Sequence, residues 1–291
     1  EEGTMSLPQH LPAAPDMLPA HVIDNHTHLG STAEYSGLGV AESLDAAAAV
    51  GVVGVVDVGC DLPSSRAAAQ LAGADPRVRA AVAIHPNDAA RLFQRDGLVA
   101  LDAELAELTA LAALPGVVAV GETGLDHYRT RDPEAQRAQA HSFRFHIALA
   151  RERNLTLVIH DRDAHADVLK VLDSVESPER VVMHCFSGDA GFARECVERG
   201  FWLSYPGVVT FGSAGSLREA VKVTPLERIL VETDAPYLTP KPQRGKPNAP
   251  YLLPHTVAFL ADLLGIGLAD FCRRVTANTE AAYATCWGGD D

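Results

Sequence analysis

VIDNHTH, residues 22–28, is a short apolar run that ends in polar residues, two of which are the histidines His26 and His28. Side chains two positions apart in an extended segment point to the same side, so these two imidazoles can share a cation. The stretch therefore predicts a buried strand whose carboxyl end carries metal ligands. An H-x-H pair alone is weak evidence, and the prediction depends on whether the pattern recurs along the chain.

Short apolar runs of this kind recur along the chain. These β-branched runs alternate with longer alanine- and leucine-rich stretches of helical character. The runs are mostly apolar throughout, which is typical of parallel strands covered on both faces. Such alternation indicates a barrel or a doubly wound sheet, and a length of 291 residues suits the α/β class and a single (β/α)8 TIM-like barrel. We expect strands near Val22–Asp24, Val52–Val58, Val78–Ile84, Val117–Val120, Leu155–Ile159, Arg180–Met183, Phe201–Ser204 and Arg228–Val231.

The N-terminal segment and the composition indicate the domain organisation and the class of protein. Residues 1–20 are rich in proline and lack periodicity, so we expect a disordered or tag-derived segment there and one barrel domain over residues 21–291. Hydrophobic residues make up 47% and charged residues 21%, the composition of an ordinary globular protein. No apolar run approaches the ~20 residues that span a bilayer, which argues against a membrane protein. No signal for secretion or for an obligate protein partner is evident.

Five scattered cysteines give a second indication of the compartment. Their odd number and the lack of a C-x-x-C pair predict a reducing cytoplasm, without a disulfide framework or a zinc–thiolate site. Cys185 stands beside His184, and we interpret it as a small buried hydrophobe.

The net charge of −14 limits the possible substrates. A protein that coats duplex DNA usually presents a strongly basic face, and this chain should repel long polyanions overall. Any nucleic acid must then be attracted by local cations and bound metal. The charge favours a strand end or a small phosphoester.

The ionisable residues fall where the predicted strands end. In a (β/α)8 barrel all eight carboxyl ends meet at one face, so residues far apart in sequence converge there. Two carboxylates with four imidazoles exceed what one tetrahedral zinc with an open position needs, and they suit two divalent cations about 3.5–4 Å apart that share a carboxylate. The predicted ligands are His26 and His28 after the first strand, Glu122 after the fourth, His160 after the fifth, His184 after the sixth and Asp234 after the eighth.

Six motifs resemble, in order, those of the TatD family of metal-dependent deoxyribonucleases, and the resemblance covers nearly the whole chain from Val22 to Tyr283. The resemblance implies a TIM barrel of the amidohydrolase superfamily, nuclease activity with a divalent metal, typically magnesium, and a metal site at the six positions given above. The motifs are DNHTHL (24–29), IHPND (84–88), GETGLD (121–126), HDRDA (160–164), HCFSG (184–188) and VETDAPYL (231–238).

We therefore expect a phosphodiester hydrolase, a deoxyribonuclease of exonuclease type that acts on DNA ends or single strands. Two cations (Mg, Mn or Zn) would activate a water molecule and polarise the phosphoryl oxygens. Glu122 would bridge the cations, and Asp234 would ligate one of them and accept the proton of the water.

Several basic residues are candidates for binding the phosphate. Arg162 follows His160 by two positions and could instead pair with Asp161 or Asp163. Arg244 and Lys246 lie in the loop 239–250, where four prolines stiffen either a phosphate clamp or a solvated turn.

Other residues near the predicted mouth are candidates for contacts with the substrate or for support of the site. His85, after the third strand, would bind substrate, support the metals or form a structural hydrogen bond. Tyr128, Tyr205 and Tyr237 would stack on bases or simply pack. Glu232 is expected to orient the site rather than ligate a metal.

The same barrel and ligands would also serve a metal-dependent amidohydrolase or an aminoacyl-tRNA deacylase. The absence of a lysine at the end of the fourth strand and the basic loop favour phosphate. A binding or scaffold protein with a vestigial site is disfavoured because all six ligand positions are intact.

Overall fold

The computed structural model describes residues 10–287, in which eight parallel strands follow one another around a barrel. Each strand pairs with the next in sequence order. The first and last are joined beyond the ladder, because the Asp234 N–H donates to the His26 carbonyl and the His28 N–H to the Ala235 carbonyl, both at 2.9 Å. The predicted (β/α)8 fold is confirmed. The strands are β1 (Val22–Thr27), β2 (Val52–Val58), β3 (Val78–Val82), β4 (Val117–Asp126), β5 (Thr156–Arg162), β6 (Val181–Met183), β7 (Trp202–Tyr205) and β8 (Ile229–Val231).

Helices fill the connections between the strands, and several begin at a capping aspartate. Asp61, Asp132 and Asp189 each accept a hydrogen bond at 2.9 Å from the backbone N–H three residues later, which satisfies a donor that the first helical turn leaves free. The α-helices are α1 (Leu29–Ser36), α2 (Val40–Ala49), α3 (Leu62–Ala74), α4 (Pro86–Leu111), α5 (Pro133–Arg153), α6 (His165–Asp173), α7 (Ala190–Glu198), α8 (Gly215–Val223), α9 (Leu253–Leu264) and α10 (Leu268–Tyr283), and short 3₁₀ helices span Gly207–Thr210, Leu226–Arg228 and Pro250–Leu252.

The interior of the barrel is a packed core and not a channel. Alternate strand residues such as Ile23, Val56 and Val158 fill it, while the other faces of the strands pack against the helices. Trp287, beyond α10, packs into the same interior cluster, and its Nε1–H donates to the Val55 carbonyl at 3.2 Å. With the interior filled, a site on this barrel has to lie at its open carboxyl face.

Three strands, β1, β4 and β5, run three or more residues further than predicted, so His26, Glu122 and His160 lie within them and not at their ends, whereas β3 ends at Val82 and not at Ile84. For β4 the pairing explains the difference: Val120 faces Leu157, but Thr123 faces Ile159, so β4 holds one extra residue and the ladder then continues. Such a bulge redirects a side chain and lengthens the strand without changing the apolar pattern on which the prediction was based.

The N-terminal segment is in contact with the barrel from residue 10 onward. Leu11 and Leu18 are buried, and the Tyr251 hydroxyl donates to the Pro12 carbonyl at 2.6 Å. Residues 1–9 of the predicted disordered segment lie outside the described residues, as do residues 288–291. The domain boundary at residue 20 stays a prediction.

Within residues 10–287 no single helix is long and apolar enough to cross a bilayer, although Pro250–Leu264 and Leu268–Tyr283, a pair bent by 110°, would be when taken together.

Candidate metal centre

The carboxylate of Glu122 occupies the centre of the carboxyl face. Glu122 is only 3% exposed. Its Oε1 lies 3.3 Å from His26 Nε2 and 3.4 Å from His28 Nε2. Asp234 approaches the same pair from the other side, with its Oδ1 3.6 Å from His26 Nε2 and 3.3 Å from His28 Nε2. As predicted from their spacing, the two histidines of the first strand face one point.

The second oxygen of Glu122 faces a different group of histidines. Its Oε2 lies 3.0 Å from His184 Nε2, 3.1 Å from His160 Nδ1 and 3.5 Å from His85 Nε2. The two oxygens of Glu122 therefore face different histidines, and the two groups meet where the His26 and His184 rings stack with their centroids 3.6 Å apart. The structure brings all six predicted ligands together, and it adds His85 beside them.

Three of the four predicted ligand histidines are oriented by acceptors on their far side, whereas the buried Nδ1 of His26 has no hydrogen-bond partner among the described residues. His28 Nδ1 donates to the Val58 carbonyl at 2.8 Å, and His184 Nδ1 contacts Glu232 Oε1 at 3.0 Å. His160 Nε2 contacts Asp126 Oδ2 at 3.0 Å. An acceptor at one ring nitrogen leaves the lone pair of the other for a metal, the arrangement usual for ligating histidines.

His85 has the opposite arrangement. Its Nδ1 accepts a hydrogen bond from the Asn87 backbone N–H at 3.1 Å at the start of α4. In the neutral ring the hydrogen is then on Nε2, the atom directed at Glu122. His85 is thus better placed to donate a hydrogen bond to an oxygen than to ligate a cation.

The pKa values of the ionisable groups in this buried cluster are shifted from their usual ranges. Burial would raise the pKa of Glu122, but His184 and His85 hold it well below its usual range, so the carboxylate is ionised. Burial lowers the pKa of His26. Burial also opposes protonation of His184, yet Glu232 and Glu122 raise its pKa well above the usual range. The buried carboxylates are therefore stabilised by positive charge close to them.

The donor set fits divalent cations. His26 Nε2 faces two carboxylates but can donate only one hydrogen, so the acceptors exceed the donors at this point. Three sets of donor atoms, each within 4.8 Å of one another, share Glu122, and a cation at such a set would satisfy the surplus lone pairs. The sets are His26–Glu122–His184–Asp234, His28–Cys60–Glu122 and His85–Glu122–His160.

Arg162 and two of the three tyrosines lie at the mouth. The Arg162 guanidinium sits over the Tyr128 ring, 4.0 Å from its centroid, and Asp161, an alternative ion-pair partner, contacts His165 Nδ1 instead. Tyr128 and Tyr237 are 48% and 57% exposed, whereas Tyr205 is buried and packs.

The basic loop is attached beside Asp234, and its two candidate phosphate-binding residues contact other side chains. Asn248 donates to the carbonyls of Thr233 and Tyr237 at 3.0 and 2.6 Å, which ties the loop to the end of β8. Arg244 stacks on the Phe211 ring at 3.8 Å, and Lys246 Nζ donates to Gln243. Their binding of phosphate stays a prediction.

Two residues at the centre were not predicted. Asp126 orients His160, and its place two residues after Gly124 in the motif was the available signal. Cys60 Sγ lies 3.8 Å from Glu122 Oε1. The spacing of the cysteines gave no sign of this, because Cys60 approaches histidines and a carboxylate from other strands and not a second cysteine.

Comparisons with known proteins agree with this geometry. Residues 23–284 match the family model described as TatD related DNase. A Mycobacterium tuberculosis protein named as an uncharacterized metal-dependent hydrolase TatD is 45% identical over 269 residues, which cover 91% of this chain and 99% of that protein. A Citrobacter rodentium protein named 3'-5' ssDNA/RNA exonuclease TatD is 34% identical over 241 residues, 81% of this chain and 88% of that protein.

A solved structure shows the same architecture. The crystal structure of YJJV, a TatD homologue from Escherichia coli K12, superimposes with a TM-score of 0.80 and 26% identity, and the match covers 91% of this chain and 98% of that one. The chain belongs to the TatD-related DNase family of metal-dependent hydrolases.

Proposed function

We propose that the protein hydrolyses phosphodiester bonds in DNA, at single strands or strand ends, with two divalent cations (Mg, Mn or Zn) held on either side of Glu122. The observation that carries the proposal is that the two oxygens of one buried carboxylate face different histidines, His26 and His28 at one oxygen and His160 and His184 at the other. A shared carboxylate between two sets of donors is what a two-cation site requires. The exonuclease name of the Citrobacter relative supports the choice of substrate.

The residues of the centre would have different roles in the reaction. Cations bound there would supply Lewis acidity and lower the pKa of water in the site. Asp234, whose pKa is kept low despite burial by the hydrogen bond from His28, is a carboxylate able to accept the proton of the attacking water. Its side chain is 13% exposed against 4% for Glu122, so a water at the mouth can reach it.

The phosphate and its neighbouring bases would be held at the rim. Arg162 is fixed against Tyr128 and remains exposed, so it can neutralise a phosphoryl oxygen. Tyr237 lies beside His28, with the ring centroids 6.3 Å apart, and presents an open face on which an unpaired base can stack. Arg244 and Lys246 would add attraction for the rest of the strand.

A short or single-stranded substrate follows from the charge of the whole chain, which is −14. Beyond the positive groups near the mouth, long duplexes would meet repulsion. A cytoplasmic location stays a prediction from the cysteine pattern.

The test compares three substrates with protein that has been stripped of metal and reloaded with Mn²⁺ or Mg²⁺. We expect release of nucleotides from a labelled single-stranded oligonucleotide, slower release from the blunt duplex of the same sequence, and little hydrolysis of an aminoacyl-tRNA ester. Cleavage of the ester without cleavage of the oligonucleotide, at equal metal content, would replace the nuclease with a deacylase.

A further inference from the structure

Cys60 lies at the metal centre although no cysteine motif marks it. It follows β2 by two residues and precedes the capping Asp61 of α3, so it stands on the carboxyl face beside the ligands of β1. Its Sγ is 3.8 Å from Glu122 Oε1 and 3.9 Å from His28 Nδ1. The backbone there is fixed, since the Cys60 N–H donates to Ser64 Oγ at 2.9 Å.

The separations between these atoms fit the ligands of one cation. With Zn–S near 2.3 Å and Zn–N or Zn–O near 2.1 Å, tetrahedral ligand atoms lie about 3.4–3.7 Å apart. Glu122 Oε1 is 3.4 Å from His28 Nε2 and 3.8 Å from Cys60 Sγ. The donors of the three residues all lie within 4.8 Å of one another. Because His28 Nδ1 is held by the Val58 carbonyl, Nε2 is the nitrogen left for an ion, and rotation of the Cys60 side chain toward Nε2 and Glu122 Oε1 would complete the set.

Gly59, the residue before Cys60, helps to fix the position of Cys60. A Cβ at Gly59 would lie 2.3 Å from Ser65 Oγ, so only glycine permits the turn that carries Cys60 toward Glu122. Ser65 in turn donates to the Ala83 carbonyl at 3.0 Å, which ties the turn to β3.

We propose that Cys60 is a thiolate ligand of the cation on the His28 side of Glu122, and that this half of the centre selects a soft ion such as Zn²⁺ over Mg²⁺. Thiolates favour zinc, whereas carboxylate and water ligands suit magnesium and manganese. On binding, the S–H bond is lost, the sulfur–metal bond forms and the proton passes to the buffer, with no change of oxidation state. The inference rests on the metal centre of the proposed function but not on the reaction.

The experiment titrates the metal-free full-length protein with Co²⁺, a spectroscopic stand-in for zinc, and records the thiolate-to-cobalt charge-transfer band. We expect the band in the wild type and its loss in Cys60→Ser, which changes one atom, and in Cys60→Ala. The controls are Cys185→Ser, on the same face of the barrel, and Cys286→Ser, at an exposed thiol. Both should keep the band.

Competition between ions gives a second measurement. Cys60→Ser should weaken Zn²⁺ binding by at least about tenfold and leave Mn²⁺ binding within about threefold of the wild type. A wild type that binds Co²⁺ without the band, a band that survives Cys60→Ser, or an equal loss of both ions would overturn the role of Cys60 alone. A wild type that binds none of these ions would overturn the metal centre with it.

Discussion

Glu122 and Asp234 face the same two histidines, yet their surroundings differ. Glu122 contacts imidazoles at both oxygens and is almost fully buried. Asp234 has one oxygen directed at His26 and His28, and its side chain is more exposed. Its backbone φ of 53° is left-handed, a conformation that aspartate and asparagine tolerate better than most residues. Glu122 is suited to hold cations, and Asp234 to meet a water molecule as well.

Asp234→Asn separates ligation from proton transfer. Asparagine keeps an oxygen and the tolerance for a left-handed backbone, but it loses the charge and the proton acceptor. We expect the variant to retain at least one metal ion and to bind an oligonucleotide, while kcat falls about a hundredfold or more. Single-turnover kinetics together with elemental analysis measure both effects.

His184→Ala is the comparison for that variant. It removes a ligand and not a base, so it should weaken metal occupancy, and excess metal should partly restore its activity. If Asp234→Asn kept the wild-type kcat with its metal bound, Asp234 would not be the base.

At the scale of single residues the sequence predicts the ligands better than their neighbours. His26 and Asp234 are polar residues at the ends of apolar runs, and such an interruption is visible without a structure. The orientation of the His85 ring depends on a hydrogen bond from the Asn87 backbone, and the position of Cys60 beside Glu122 depends on packing between strands. Neither can be read from the spacing of residues in the sequence.

The pair β4 and β5 is the element that positions Glu122. A Cβ at Gly124 would lie 2.1 Å from the His160 carbonyl oxygen, and one at Gly121 would lie 2.5 Å from Val158 Cβ. The two glycines thus allow the strands to approach closely around the bulge that carries Glu122. The strand boundaries were wrong here because the apolar pattern ends at Val120, whereas the pairing continues to Asp126.

Gly124→Ala tests this arrangement. The added methyl group would force β4 from β5, so we expect a loss of about 1–3 kcal/mol in the free energy of unfolding and weaker metal binding. Gly73→Ala is the control, because a Cβ there meets nothing within 4 Å in the last turn of α3. Denaturant titrations and metal titrations of both variants measure these effects. If Gly124→Ala kept the wild-type stability and metal affinity, the two strands could move apart without cost to the site.

The loop 239–250 should act on binding more than on the chemical step. Arg244→Ala with Lys246→Ala removes charges that attract phosphate in ground and transition state alike, so KM should rise more than kcat falls. The defect should shrink as salt is added, because screening removes the same attraction from the wild type.

A control of equal charge removes Lys170 and Lys222, which lie in the last turns of α6 and α8 at the opposite face of the barrel. Its KM should stay near that of the wild type. Equal KM values for the loop variant and the wild type at low salt would show that the loop is only a turn.

At the scale of the whole molecule the barrel and the centre are separable. The packed interior and the layer between strands and helices form the hydrophobic core, and a barrel of this size does not need metal to fold. The sequence predicts this architecture well because alternation of strands and helices is repeated eight times, and an error at one boundary leaves the order unchanged. What it cannot supply is the distance between elements, on which the arrangement around Glu122 depends.

The most direct test measures metal content and turnover of a single-stranded oligonucleotide on the same samples during stepwise reloading of stripped protein. Turnover should be absent after chelation while the circular dichroism spectrum is retained, and it should appear as about two ions bind per chain. Glu122→Gln should hold fewer ions and stay inactive. Undiminished turnover in protein without detectable metal, or full metal content and turnover in Glu122→Gln, would contradict a two-cation centre organised by Glu122.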